Sequence, residues 1–128
     1  MRTYPLEEDE QAGLFLWASW NFSAMPELRL MFHVANGGHR HIRVAAKMKA
    51  QGVKPGVPDI FLPVARQGFH GLFVEMKAQS ARPKKEGSKG GLSDLQCSWI
   101  GDLRNQGYKV AVCYGRDEAI FEITNYLK

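Results

Sequence analysis

A mixed α/β fold, a central sheet flanked by helices, is predicted for this 128-residue chain by three observations. Both ends carry polar and apolar residues at helical spacing. Two short apolar runs, Ile60-Phe61-Leu62 and Leu72-Phe73-Val74, flank a Gly-containing polar segment and read as a β-hairpin. A capped helix from Ser93 precedes a further buried strand, Tyr108 to Tyr114. The length fits one compact domain over residues 1–128, with a core that needs no staples.

The elements follow in order. From Glu7 to about Trp20, Glu7, Gln11, Leu14 and Ala18 recur at helical spacing, so Glu7 and Gln11 share a face in line with a packed stripe. After Pro26, Leu28 to Val34 is apolar enough for a strand or buried turn, and Asn36-Gly37-Gly38 signals a turn. A second helix is predicted from about Ile42 to Gln51, ended by Gly52. The hairpin turns near Gln67 and Gly68. Ala81 to Gly91 (ARPKKEGSKGG) has nothing to bury and is expected to be a mobile basic loop. The Ser93 helix has Gln96 at the fourth place of a capping box, Leu95, Trp99 and Leu103 as its buried stripe, and Gly107 as its stop. A last helix takes Glu118 to about Leu127.

Composition excludes several classes. With 45% hydrophobic and 23% charged residues the chain is neither disordered nor membrane-like. No apolar run approaches the roughly 18 residues needed to span a bilayer, and the start lacks a signal peptide's apolar stretch, so a cytoplasmic location is expected. Cys97 and Cys113 are too few for a disulfide framework and are read as reduced and buried. A formal charge of +4 favours a polyanionic partner. Trp17, Trp20 and Trp99 lie on helical stripes and are read as core.

The chemistry concentrates on the hairpin. Glu75 and Lys77 are two apart and point the same way from a strand, and a turn near Gln67 places Asp59 opposite Glu75 or Lys77. Either register gathers two carboxylates and an ammonium on one face. A hard cation such as Mg²⁺ takes oxygen ligands and can rest on one or two carboxylates, with Glu7 completing the set. A bare Glu-x-Lys is usually a solvated pair. Asp59 upstream changes the balance, because neighbouring carboxylates repel unless a cation sits between them.

Read in order, the chain presents Glu7 with Gln11 ahead of Trp17; His33, Asn36-Gly37-Gly38 and Arg40; Gly52 and Pro55-Gly56-Val57-Pro58-Asp59; Gly71-Leu72-Phe73-Val74-Glu75-Met76-Lys77; and Leu92-Ser93, Gln96, Trp99 and Gly107-Tyr108. This ordered set resembles the virus-type replication-repair nuclease (VRR-NUC) domain, a branch of the PD-(D/E)XK nuclease superfamily. The resemblance implies a restriction-endonuclease-like core and Mg²⁺ or Mn²⁺ held by Asp59, Glu75 and the Met76 carbonyl. Lys77 then assists the attacking water, Glu7 is the helix-borne acid with Glu10 as its substitute, and Gln96 is the motif glutamine. A homodimer cutting branched DNA such as Holliday junctions, with no organic cofactor, is implied too.

Plain alternatives stand beside these roles. Gln96 serves the site or only caps its helix. Asn36 and Arg40 hold a phosphate or form an ordinary turn. His39 and His41 lack partners at zinc spacing and are assigned to solvent or DNA. Arg82, Lys84, Lys85 and Lys89 close over a DNA backbone or belong to a solvated loop. The rival functions are a non-catalytic DNA-binding module and a restriction enzyme or exonuclease acting on linear DNA.

Overall fold

The computed structural model describes residues 3–37 and 41–128. Four strands, β1 (Phe32–His33), β2 (Ile60–Leu62), β3 (Leu72–Lys77) and β4 (Lys109–Tyr114), form one sheet in the order β1-β2-β3-β4. The first three are antiparallel neighbours and β4 runs parallel to β3, which makes the sheet mixed as predicted. Helices α1 (Glu7–Trp20), α2 (Ile42–Ala50), α3 (Asp94–Asn105) and α4 (Arg116–Tyr126) complete the fold. The predicted starts of α1 and α2 hold, whereas α4 begins at Arg116 rather than Glu118. Among the described residues no helix is long and apolar enough to cross a membrane.

Alternation along β3 divides the core. Leu72, Val74 and Met76 pack with Leu14 and Ala18 of α1 and with Ala119, Ile123 and Tyr126 of α4. On the other face Phe73 packs with Ile100 of α3 and Val110 of β4. Glu75 and Lys77 share the Phe73 face and look toward α3.

A two-residue turn at Gln67 (φ 55) and Gly68 (φ 85) closes the hairpin. Arg66 and Phe69 exchange both backbone hydrogen bonds across it, the primed geometry that matches strand twist. Pairing of Ile60 with Val74, Phe61 with Phe73 and Leu62 with Leu72 extrapolates to Asp59 opposite Glu75, one of the two registers anticipated.

Several expectations need correction. Leu28 to Val34 is neither one strand nor one turn: a 3-10 turn over Pro26–Leu30 is followed by β1, which is held by pairing to β2. Of the stripe Leu95-Trp99-Leu103 only Leu103 is turned to the sheet. Ile100 and Leu103 face the sheet, while Leu95 is 47% exposed, because the helix is rotated so that Leu95 and Trp99 press on Gly56 instead. Trp17 packs against the core, but Trp20 is 74% exposed at the end of α1. Both cysteines are free; Cys113 is buried, with burial pushing its thiol up to about 12, whereas Cys97 is exposed. The basic loop is anchored at both ends rather than loose. Arg82 pairs with Glu118 and lies over the Tyr114 ring, and the Tyr114 hydroxyl donates to the Gly90 carbonyl at 2.9 Å.

Candidate active site

The site forms where β3 ends, opposite the approach to β2 and below the start of α3. Asp59 is held by its neighbours. Its Oδ2 accepts the Met76 backbone N–H at 2.8 Å, and its Oδ1 accepts the Asn36 amide, also at 2.8 Å. Asn36 donates as well to the Val57 carbonyl at 3.3 Å. His33 Nδ1 lies 2.8 Å from the Asp59 carbonyl oxygen and 3.0 Å from the Gln11 amide nitrogen. The Asp59 carboxylate is therefore fixed by β3 and the turn after β1, and its backbone carbonyl by His33 of β1, which Gln11 of α1 braces.

Gln96 does both things anticipated for it as alternatives. Ser93 Oγ accepts the Gln96 N–H and Gln96 Oε1 accepts the Ser93 N–H, a complete capping box. The same Oε1 accepts from Lys77 Nζ at 3.2 Å, while Nε2 donates to Glu75 Oε1 at 3.1 Å. Capping fixes the amide, and the fixed amide orients Glu75 and Lys77.

Glu75 is 1% exposed, and its Oε2 is buried without a hydrogen-bond partner. An unsatisfied buried acceptor costs about 1–3 kcal/mol, more when charged, so it calls for a physical reason. Burial first, and then the adjacent Asp59 carboxylate, push the Glu75 carboxyl up to about 9, against the pull of Lys77. Near neutral pH this carboxyl therefore keeps its proton.

The two acidic candidates on α1 separate cleanly. Glu7 is exposed at the edge of the site and within electrostatic reach of it. The surrounding protein strips water from its carboxyl and raises its pKa, Lys77 opposes the rise, and Asp59 adds to it. Glu10 is 2% exposed and turned away: it accepts Arg116 Nε at 3.0 Å, the Arg116 N–H at 3.1 Å and Gln79 Nε2 at 3.2 Å. Burial alone would raise the Glu10 pKa, but the Arg116 and Gln79 hydrogen bonds outweigh it and hold the carboxyl below its ordinary value.

The residues expected to contact DNA are scattered. Asn36 is turned inward onto Asp59. Arg40 and His39 lie outside the described residues. Arg82 is occupied by Glu118 and Tyr114, and Lys89 pairs with Asp94. Lys84 and Lys85 remain exposed. His41 accepts the Arg43 N–H at the start of α2. His33 and Gln11, quoted in the sequence pattern without a role, are the site residues that sequence reasoning passed over. The one available signal was the face that Gln11 shares with Glu7.

Among the described residues no three Asp, Glu, His or Cys side chains converge as a preformed metal cage. The donors present, two carboxylates beside a strand backbone, fit a hard cation that keeps several waters, and the unpartnered Glu75 Oε2 supplies an open lone pair.

Comparison with known proteins agrees with this geometry. No curated protein matches the chain. A solved structure described as a VRR-NUC domain protein superposes with a TM-score of 0.73 at 28% identity, covering 98% of this chain and 91% of that one. The VRR-NUC domain profile matches residues 7–117, from the first residue of α1 into the first turn of α4. The chain belongs to the VRR-NUC family and is a nuclease of the PD-(D/E)XK type.

Proposed function

We propose that this nuclease is a Mg²⁺- or Mn²⁺-dependent DNA endonuclease that acts as a homodimer on branched substrates such as Holliday junctions, in replication, repair or recombination. The observation that carries the reading is the meeting of Asp59, Glu75 and Lys77 at one end of the sheet, with Glu75 Oε2 buried and unpartnered. Asp59 and Glu75, with the Met76 carbonyl, would hold the metal. When bound there, a divalent ion supplies charge neutralisation on the phosphoryl group and an activated water.

The chain's own groups do the rest. Gln96 Oε1 holds the Lys77 ammonium at 3.2 Å, so its remaining protons point at the attacking water or at the charge growing on the phosphate. Met76 N–H and Asn36 lock the Asp59 carboxylate in one orientation and leave its outer lone pairs available. Glu7, at the edge, accepts a proton or hydrogen-bonds a second water.

Cleavage of end-labelled four-way-junction, flap and linear DNA by wild type and Lys77→Ala, each with Mg²⁺, Mn²⁺ or chelator, tests the proposal. Expected is metal-dependent cutting that favours branched DNA and is lost in the variant. Equal cutting of linear DNA removes the branched preference. Binding without cutting under every condition makes the chain a non-catalytic DNA-binding module.

A further inference from the structure

The basic character of the chain has one source. Between Leu28 and Pro58 lie Arg29, Arg40, Arg43, Lys47, Lys49 and Lys54 and no carboxylate, so the rest of the chain holds more acids than bases. Arg43, Lys47 and Lys49 lie on α2 and Lys54 just after it, and this excursion leaves and rejoins the body of the protein at the active site itself. Asn36 ties the outgoing strand to Val57 and Asp59, and Gly37 lies against Pro55. On the return, Gly56 passes so close to Leu95 and Trp99 that an added Cβ would sit 2.7 and 2.9 Å from them.

Helix α2 has no buried residue. Ile42 is 80% exposed and Val44 48%. Nine residues are too few for a helix to be robust without packing, and only Ala45 and Met48, beside Gly37, Val53 and Pro55, are partly covered, so the rest of its surface is open to a partner. Among the described residues Arg43, Lys47, Lys49 and Lys54 form no ion pair, whereas in the Arg82–Lys89 loop the fold already occupies Arg82 and Lys89 and leaves only Lys84 and Lys85, next to Glu86, unpaired.

Resting on the nuclease reading above, we infer that α2 is the grip for the phosphate backbone of the DNA duplex next to the cleavage site, and that the Arg82–Lys89 loop is not. Charge selects the occupant: unpaired cations in a segment without carboxylates, rooted on the residues that hold Asp59, match a polyanion. Arg43 and Lys47 are one turn apart and share a face, so both reach one strand. Phosphate contacts made this way carry no base information and serve to place the duplex.

The test is DNA binding by fluorescence anisotropy in Ca²⁺ over a range of salt, for wild type, Arg43→Gln/Lys47→Gln and Lys84→Gln/Lys85→Gln. Because α2 contributes nothing to the core, its variant folds, which circular dichroism checks. The α2 variant is expected to bind about tenfold more weakly, and the slope of log affinity against log salt to fall by about 2. The loop variant should stay within about twofold of wild type. An α2 variant with wild-type affinity and slope overturns the inference, even if cleavage is normal. The same holds if that variant instead loses binding to phosphatidylserine vesicles, or halves in mass by light scattering, with DNA binding unmoved. Salt-sensitive binding through α2 with no cleavage in any metal leaves the grip standing and removes the nuclease reading alone.

Discussion

Glu10 and Glu75 are equally buried and behave in opposite ways. Glu10 accepts three hydrogen bonds, two of them from Arg116, and its carboxyl is held below its ordinary pKa. Glu75 has one oxygen on Gln96 and no donor on the other, which the Asp59 carboxylate neighbours, and its carboxyl is pushed up to about 9. The difference separates a charge that the fold has satisfied from one left for something else to satisfy. Burial alone would have ranked them together; partner geometry identifies Glu10 as a clamp between α1 and α4 and Glu75 as a site residue.

The largest expected effect comes from replacing each with glutamine in turn. Glu75→Gln keeps shape and the Gln96 contact but has no proton to give up and cannot become a charged ligand, and cleavage should fall about 10²–10³-fold or more, the scale for losing one preorganised stabilising group. Single-turnover cleavage of junction DNA measures it. Comparable loss in Glu10→Gln, at a temperature where that variant is folded, would erase the distinction between the two residues.

Next in size is the clamp. Arg116→Ala leaves Glu10 buried and uncompensated, which should cost about 3 kcal/mol and about 10 °C in thermal midpoint. Arg116 is itself 40% exposed, so the lower end of the buried-pair range applies. The cleavage rate of the folded variant should match wild type. Calorimetry beside the same cleavage assay reads both.

The two carboxyls also give pH dependences of opposite sign. Unfolded, each titrates near 4.5. The folded pKa of Glu10 lies lower, so its contribution is present above that value and is lost as pH falls through the folded one. The folded pKa of Glu75 lies higher, so between 4.5 and about 9 the folded state holds a proton that the unfolded state has released, and stability falls as pH rises. Urea titrations in chelator at pH 6, 7 and 8 should show a loss approaching about 1.4 kcal/mol per pH unit, flattened in Glu75→Gln. Identical slopes in the two proteins would mean that Glu75 is not the titrating group.

What could be read in advance was local. The spacing of α1, the capping box at Ser93 and the turn at Gln67 and Gly68 each follow from residues a few positions apart, and together they place Asp59, Glu75 and Lys77 on one face. What could not be read depended on distant partners. Glu10 meets Arg116 across 106 positions, so among four consecutive acids in the first turn of α1 the spacing to Gln11 favoured Glu7 but could not assign Glu10 its partner. β1 is too short for periodicity to register and exists through its pairing with β2. Leu95 and Trp99 look like core on a helical wheel, but Gly56 rather than the sheet lies beneath them. The loop of Arg82 and Lys89 reads as free basic residues because Glu118 and the Tyr114 ring are far along the chain.

The smallest predicted effect probes how Asp59 differs from Glu75 within the site. Both Asp59 oxygens are held from the protein side, one of them by Asn36 at 2.8 Å, whereas Glu75 has a free oxygen. If Asn36 positions Asp59 for a cation, Asn36→Ala should weaken Mn²⁺ binding about tenfold, at the low end for lost outer partners of a metal ligand. Calorimetric titration of metal into DNA-free protein reads this without relying on catalysis. The cleavage rate at saturating Mn²⁺ should then recover most of its wild-type value, because metal that has bound still finds Glu75 and Lys77 in place. A rate that stays low at saturation, with metal affinity unchanged, would move Asn36 from holding Asp59 to contacting the substrate, the role first expected of it.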